Sequence, residues 1–217
     1  MKYILALIIS ILGIPAIAQE NSYSITTAEN DMHIDGVLSE AIWNNAQVIE
    51  TKHEKFPNDK ELAETRTEVM LSFDQEFLYI AAICHDEVEG NYVIQSLKRD
   101  FSFPVNDAFA VFINPTGDNI NGFSFAVNPF GAQREGVLQR GGVFGVSKAW
   151  DNIWYSAVKQ SDKMWVVEMA IPFTTLRYDR NLKRYEEIAD ELSDVRVELR
   201  QHLPPGKKSA RSTRNIK

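Results

Sequence analysis

Three short segments combine aromatic rings with charged or amide side chains, which can hold a ligand without reacting with it. Residues 98–104 place two cations beside two phenylalanines, residues 128–135 are rich in amide and charged groups, and residues 149–154 carry two tryptophans around Asp151 and Asn152. Aromatic rings pack against apolar ligand faces, while arginine, carboxylate and amide groups make directional hydrogen bonds. The segments fall in loops or at strand ends of the predicted fold, where binding residues usually lie.

Patterns for other kinds of chemistry are weak or absent in the sequence. The four histidines do not have metal-ligand spacing, and no Walker loop, GxGxxG or GxSxG motif occurs. Glycoside hydrolysis needs two carboxylates roughly 5 to 10 Å apart, and the spacing of Glu135 and Asp151 does not single them out for this role. Haem binding would need axial ligands such as Met70, Met164 or His85, but most of the methionines fit core positions.

Residues 1–18 have the pattern of a cleavable secretory signal. Lys2 provides the positive charge, residues 4–14 are mostly apolar, and residues 16–18 form a small-x-small cleavage site before Gln19. This apolar run is shorter than the about 20 residues that a membrane-spanning helix needs. We therefore predict export to the periplasm, the outer-membrane surface or the extracellular space.

Composition indicates one acidic, globular domain. The chain has 217 residues, is 44% hydrophobic and has a formal net charge of −7, and the region between the signal and the basic tail is more acidic still. Such a domain repels a phosphate backbone, so we expect no nucleic-acid partner. Cys84 is the single cysteine, so no internal disulfide can form. Its apolar surroundings in the sequence predict burial of the thiol.

Short runs with strand-like patterns follow one another between turn signals, with no long amphipathic helix among them. Residues 39–46 are predicted to form one or two helical turns, and Trp43 and Trp165 are predicted to pack in the core. This organisation predicts an all-β fold, an antiparallel β-sandwich of the jelly-roll-like kind. The predicted strands are residues 66–73, 77–84, 107–113, 122–128, 153–158 and 164–171.

The C-terminal segment, residues 182–217, changes in character. Apolar residues recur at helical spacing from Tyr185 to Leu199 within a charged sequence, which predicts a short helix. Residues 204–206, Pro-Pro-Gly, end that helix, and the basic residues 207–217 are predicted to be disordered. We therefore expect that this segment lies outside the sandwich.

Four segments, in order, resemble the signatures of family-9 carbohydrate-binding modules. Residues 34–43 (IDGVLSEAIW) are similar to the opening motif of that family, and residues 73–80 (FDQEFLYI) to its hairpin. The central and closing motifs are matched by residues 106–109, 122–129 and 165–173. The segment NPFGAQREG, residues 128–136, is most similar to sequences of one subgroup of the family. Domains of this subgroup lie at the N-terminus of large bacterial outer-membrane proteins that carry a domain of unknown function.

The resemblance implies a sandwich over residues 19–181 that binds a polysaccharide or oligosaccharide, such as xylan or cellulose, without catalysis. Any glycosidase activity would belong to an attached or partner domain. The alternative is an N-terminal periplasmic or surface domain of an outer-membrane β-barrel protein, without sugar binding. The family pattern continues beyond residue 178 into another strand, which this sequence lacks in recognisable form. We therefore expect a truncated or frame-altered chain.

Candidate ligand-binding residues come from the three segments that combine aromatic rings with charged or amide groups, as sugar recognition requires. For Arg99 and Asp107, a surface ion pair between the two side chains is an alternative that the sequence supports at least as well as ligand binding. Some family members hold structural calcium, for which Asp86, Glu87 and Asp118 are candidate donors here, and solvated turn charges are the alternative. Retention on xylan or cellulose is expected to be lost in Trp150→Ala. The candidate ligand-binding residues are Arg99, Phe101, Asp107, Asn128, Gln133, Trp150 and Asp151.

Overall fold

The described strands form two sheets that pack face to face, as the sequence predicts. The computed structural model describes residues 23–29, 32–53, 62–86, 91–115, 121–138, 145–176 and 196–202. All pairings among these strands are antiparallel except that of the first strand, which runs parallel to the third. The prediction of an antiparallel β-sandwich is therefore confirmed.

The larger sheet is built around two long hairpin partners and the closing strand of the domain. Its order is β1-β3-β4-β10-β9, and β2 pairs with β3 outside this path. The tight turn of Asp74, Gln75 and Glu76 joins β3 to β4, as predicted, and Oδ1 of Asp74 accepts hydrogen bonds from the N–H groups of Glu76 and Phe77. The strands are β1 (Thr26–Thr27), β2 (Ile49–His53), β3 (Leu62–Phe73), β4 (Phe77–His85), β9 (Tyr155–Ser161) and β10 (Met164–Pro172).

The smaller sheet has the order β11-β5-β6-β7-β8. A short 3-10 turn at Phe103–Val105 precedes β5, which is its longest strand together with β11. The sequence predicts only a turn over residues 128–135, whereas residues 133–135 begin the strand Gln133–Leu138 in the structure. The strands are β5 (Ala108–Asn114), β6 (Gly122–Val127), β7 (Gln133–Leu138), β8 (Val146–Ser147) and β11 (Arg196–His202).

The main core lies between the sheets and is made from alternate residues of each strand. Val69, Leu71 and Phe73 contribute one face of β3, as their alternation predicts, and Phe125 and Val127 face them from β6. Strand β4 is covered on both sides, because Tyr79 and Ala81 belong to a second cluster on the outer face of the larger sheet. Trp165 lies in the main core, so its predicted role is confirmed.

An N-terminal arm, residues 32–46, covers the outer face of the larger sheet. It contains the short helix α1 (Ala41–Asn45), which begins two residues later than predicted and has Glu40, not Ser39, at its N-cap. Trp43 of α1 is buried against Tyr79, Ala81 and Met70. The arm therefore gives the β4 strand the apolar cover that its sequence requires.

The predicted C-terminal helix is wrong for residues Arg196–His202. These residues form β11, which pairs antiparallel with β5, from Arg196 opposite Asn114 to His202 opposite Ala108. The sequence RVELRQH alternates charged or polar with apolar residues up to Leu199, which is the period of a strand and not of a helix. Charged residues on a strand also suit a sheet edge. The rest of the predicted helix, like the predicted signal and basic tail, lies outside the described residues.

Cys84 is fully buried in β4, which confirms the prediction from its apolar surroundings. Burial raises the pKa of its thiol far above the ordinary range, against a smaller opposite effect of its hydrogen bond with Thr67. Within the part of the chain that the structure describes, no helix has the length and apolar character to cross a membrane.

Candidate functional site

The loop before β5 is attached to β7, and this places Arg99 at the side of the sandwich. The backbone N–H of Asp100 donates a hydrogen bond of 2.9 Å to the carbonyl of Gln133. Asp100 has a φ of 60°, a left-handed conformation that aspartate tolerates better than most residues. The turn at Asp100 therefore directs the side chain of Arg99 across the edge of the smaller sheet.

Four polar partners surround the guanidinium of Arg99. Its Nε donates to Oε1 of Glu135 at 2.9 Å, and its Nη1 donates to Oε1 of Gln133 at 2.9 Å. Its Nη2 donates to the same Glu135 oxygen, to Oδ1 of Asp151 at 3.3 Å and to the carbonyl of Asn152 at 3.1 Å. Arg99 thus joins β7 to the segment before β9, two elements that are far apart in sequence.

Glu135 is the buried partner in this network. Its side chain is 1% exposed, and its Oε2 accepts a hydrogen bond of 3.3 Å from the indole Nε1 of Trp154. Burial raises the pKa of the Glu135 carboxyl, while the hydrogen bonds from Arg99 and Trp154 oppose that rise and the neighbouring Asp151 adds to it. Both oxygens of Glu135 are therefore committed to partners within the protein.

A cleft of about 410 Å³ opens beside this network. Its lining mixes groups that suit a polar ligand with apolar surface: the Asp151 side chain is 82% exposed, and Ile153 is 69% exposed. Oδ1 of Asp151 is oriented by Arg99, and the exposed carboxyl can accept further hydrogen bonds from a ligand. The lining residues are Arg99, Asp151, Asn152, Ile153 and Trp154.

Three of the seven predicted binding residues lie in one network, and a fourth is adjacent to it. Arg99, Gln133 and Asp151 are brought together as described, and the ion pairs of Arg99 are with Glu135 and Asp151. The alternative of a surface pair between Arg99 and Asp107 is therefore replaced by a network that extends into the interior. Trp150 is next to Asp151 in sequence but has a different environment.

Trp150 packs against the edge of the main core. Its ring centroid lies 4.9 Å from that of Phe123 and 6.0 Å from that of Phe125, in tilted and edge-on geometries. Such contacts stabilise aromatic pairs in a core. Loss of binding in Trp150→Ala would therefore report damage to packing as well as any contact with a ligand.

The three other predicted binding residues are buried and make contacts within the protein. Phe101 is 2% exposed within a cluster of alanines, so its ring offers no open face to a sugar. Oδ2 of Asp107 accepts a hydrogen bond of 2.8 Å from the N–H of Val93. Asn128 closes the turn before β7, because its Oδ1 accepts from the N–H groups of Phe130 and Ala132. Each of them supports the loops around the site from within.

The predicted calcium donors are only partly described. Asp86 lies directly after β4, where its N–H donates to the carbonyl of Lys163, and Glu87 and Asp118 lie outside the described residues. The described residues contain no group of three or more His, Cys, Asp or Glu side chains that could hold a metal ion. Calcium binding therefore stays a prediction from the resemblance.

Trp154 and Ile153 line the cleft, but the sequence did not mark them as site residues. Trp154 directly precedes β9 within an apolar pattern that is typical of a core residue, and it is 4% exposed. The available signal was their position directly after Asp151 and Asn152. Ile153 and Trp154 continue the same segment toward β9 and so lie along the same cleft.

One family model matches most of the chain. It is described as Carbohydrate family 9 binding domain-like, and it matches residues 34–185. No curated protein matches the chain.

Solved structures with low sequence identity are similar to this chain. A family 9 module from Caldicellulosiruptor kristjanssonii in complex with cellotriose is 18% identical with a TM-score of 0.45, over 68% of this chain and 66% of that chain. The complex of that module with glucose has the same identity and TM-score and covers 68% of both chains. A candidate carbohydrate-binding protein from Bacteroides uniformis ATCC 8492 is 12% identical with a TM-score of 0.47, over 72% of this chain and 76% of that chain.

The family match begins at Ile34 in the N-terminal arm and continues past the end of β10, so it includes the cleft and the strands from β2 to β10. Since it extends over more than half of the 217 residues, the chain belongs to the Carbohydrate family 9 binding domain-like family.

Proposed function

We propose that this protein binds carbohydrate without catalysis, in the cleft beside Arg99. The observation that carries the proposal is the convergence of Arg99 and Asp151 at one cleft beside the exposed Ile153, with Gln133 bonded to Arg99 behind it. An oriented carboxylate and a guanidinium make charge-assisted hydrogen bonds to hydroxyl groups. The apolar side chain of Ile153 suits the less polar face of a sugar ring.

Weak binding is expected at such a site. The hydroxyl groups of a sugar must exchange hydrogen bonds with water for hydrogen bonds with protein, and the net gain of each exchange is small. The cleft is open, and the Asp151 side chain is largely solvated. A polymer with many repeats would compensate for weak single contacts, since one bound unit keeps its neighbours close to the protein.

The carboxylates at the cleft favour binding over hydrolysis. A glycosidase needs two carboxyl groups that both reach the glycosidic bond. Glu135 is buried beneath Arg99 and hydrogen-bonded through both oxygens, so only Asp151 of this pair reaches the ligand side of the cleft. Any hydrolysis in the full assembly would then belong to another domain or partner.

We also propose that the protein is exported from the cytoplasm. The secretory pattern of residues 1–18 supports this localisation. The expected mature N-terminus is Gln19, and N-terminal sequencing of protein secreted by a bacterial host tests this. Recovery of a chain that still begins at Met1 would contradict export by this signal.

Affinity gel electrophoresis with soluble xylan and with hydroxyethyl cellulose tests carbohydrate binding. The wild-type protein should be retarded by at least one polymer, and Asp151→Ala should weaken the retardation by removing an exposed acceptor and an orienting partner of Arg99. Asp162→Ala, in the exposed turn between β9 and β10, is the matched control and should bind as the wild type does. Absence of retardation by both polymers, with no binding of their short oligosaccharides, would contradict the proposal. The alternative of a surface domain without sugar binding would then be favoured.

A further inference from the structure

A second cleft of about 440 Å³ shares Trp154 with the first cleft and otherwise has a different lining. It is dominated by aromatic and aliphatic side chains, with two polar groups at the end nearer Arg99. Both clefts fall within the range of about 300–1,000 Å³ typical of small-molecule sites. The lining residues are Met32, Ile34, Phe77, Tyr79, Gln133, Trp154, Tyr155, Ser156 and Ala170.

The aromatic side chains of this second cleft are held in fixed positions. The centroid of Phe77 lies 5.9 Å from that of Tyr79 and 6.1 Å from that of Tyr155. The hydroxyl of Tyr79 donates a hydrogen bond of 2.6 Å to Oδ2 of Asp74, which locks that ring. Tyr155 is 52% exposed, so it presents an open aromatic surface on a supported base.

The amide of Gln133 joins the two clefts. Its Oε1 accepts the hydrogen bond from Nη1 of Arg99 at 2.9 Å, and its Nε2 donates to Oγ of Ser156 at 2.9 Å. Arg99 lines the first cleft and Ser156 lines the second. A continuous row of polar groups therefore runs from one cleft to the other past the edge of Trp154.

The two clefts supply complementary parts of a sugar-binding surface. Charged groups that suit hydroxyls are in the first cleft, while the exposed aromatic ring is in the second. A single sugar ring in the first cleft would lie against Ile153, whereas a ligand that also reaches Tyr155 must extend past Trp154. The geometry thus favours a chain of linked rings over one ring.

Building on the proposed function, we infer that the two clefts form one extended site for an oligosaccharide of two or more units, with one ring packed on Tyr155. The polar row through Gln133 lies alongside the ligand between its two ends. The polymer chain continues beyond the site into solvent, because both clefts are open.

Calorimetric titration of the whole protein with glucose and cellotriose, and with xylose and xylotriose, tests this inference. The trisaccharide of the preferred series should bind about two- to twelvefold more tightly than its monosaccharide, since one aromatic contact contributes roughly 0.5–1.5 kcal/mol. Tyr155→Ala should remove most of that gain. Tyr155→Phe, which keeps the ring, should retain the gain.

Phe130→Ala provides the matched control. Phe130 is 57% exposed in the turn before β7 and lines neither cleft, so its removal should leave both affinities unchanged. Equal affinity for monosaccharide and trisaccharide, or an unchanged trisaccharide affinity in Tyr155→Ala, would overturn the extended site and leave the proposed function intact. If none of the four sugars binds, the proposed function and this inference both fail.

Discussion

The backbone N–H of Gly36 donates a hydrogen bond of 2.8 Å to Oε2 of Glu168, across 132 positions of the chain. The same oxygen accepts from the N–H of Asp35 at 3.1 Å, and Oε1 accepts from the indole Nε1 of Trp43 at 3.2 Å. One buried carboxyl of β10 thus holds the N-terminal arm on the larger sheet. Because Met32 and Ile34 of this arm line the second cleft, the contact also shapes the candidate site.

Gly36→Ala should destabilise the protein more than Gly131→Ala. Both glycines have φ values near +80°, so each alanine carries a similar backbone cost of about 1–2 kcal/mol. A Cβ at Gly36 would lie 2.9 Å from the backbone of Lys159 and Val158, whereas a Cβ at Gly131 meets nothing within 4 Å. Overpacking adds roughly 1–3 kcal/mol at Gly36. Urea unfolding of both variants measures the difference, and equal losses would contradict the close approach of the arm to β9.

Glu168 should make the protein less stable as the pH rises. Burial raises the pKa of its carboxyl above the ordinary value of 4.5, against the opposing effects of its hydrogen bonds from Gly36, Asp35 and Trp43. The folded state therefore holds this proton more tightly than the unfolded chain does. The stabilising contribution is complete below pH 4.5 and is lost as the pH rises through the folded-state pKa.

Glu168→Gln removes this titration and should flatten the fall of the melting temperature between pH 4.5 and neutrality. The variant is also expected to lose about 1–3 kcal/mol of stability at all pH values, because an amide offers one acceptor oxygen where the carboxyl offers two. Thermal melts across the pH range measure both effects. Glu76→Gln, at an exposed position, should keep the wild-type slope, and a wild-type slope in Glu168→Gln would refute this account.

Asn128→Ala should reduce stability without changing carbohydrate affinity. The side chain is buried, accepts from the N–H groups of Phe130 and Ala132 at 3.0 and 2.9 Å, and donates to the carbonyl of Ser96 at 3.2 Å. Leaving such buried groups without partners costs about 1–3 kcal/mol. Chemical unfolding and titration with the preferred sugar separate the two effects. A loss of affinity without a loss of stability would restore the original assignment of Asn128 as a ligand contact; the exposed Asn91→Ala is the control.

The thiol of Cys84 should not react in the native protein. It is fully buried, and burial raises the pKa of the thiol, so both access and the reactive thiolate are lacking. Reaction with Ellman's reagent should be absent in native buffer and should yield one thiol per chain in guanidinium chloride. Rapid modification of the folded protein would show that β4 is more accessible than its packing indicates.

Much of the sandwich could be predicted because its strands carry local signals. Alternation in β3 and β6, and the turn of Asp74, Gln75 and Glu76, depend on neighbouring residues. The predicted ends of these two strands therefore lie close to the ends that the structure shows. The short strands β1, β2 and β8 were missed, since few residues and mixed polarity leave no clear period. Strand β11 was missed because helical spacing upstream obscured the alternation of RVELRQH.

The candidate site could be predicted only in its composition. The sequence identified Arg99, Gln133 and Asp151 as groups able to bind a ligand, because their side-chain chemistry is intrinsic to each residue. It also identified Phe101 and Asn128, whose chemistry is equally suitable but whose side chains are buried. Burial depends on which elements pack above a residue, and that information is distributed over the whole chain.

The sequence by itself determined an all-β domain with a buried cysteine, buried Trp43 and Trp165, and a set of polar and aromatic loop residues. Only the tertiary structure decided that Arg99 reaches Glu135 and Asp151, which lie 36 and 52 positions away along the chain. It also decided that Gln133 hydrogen-bonds to Arg99 in one cleft and to Ser156 in the other, and that both clefts share Trp154. Local patterns report the period of each strand, but sheet packing sets which strand ends meet, and the site lies at such a meeting point.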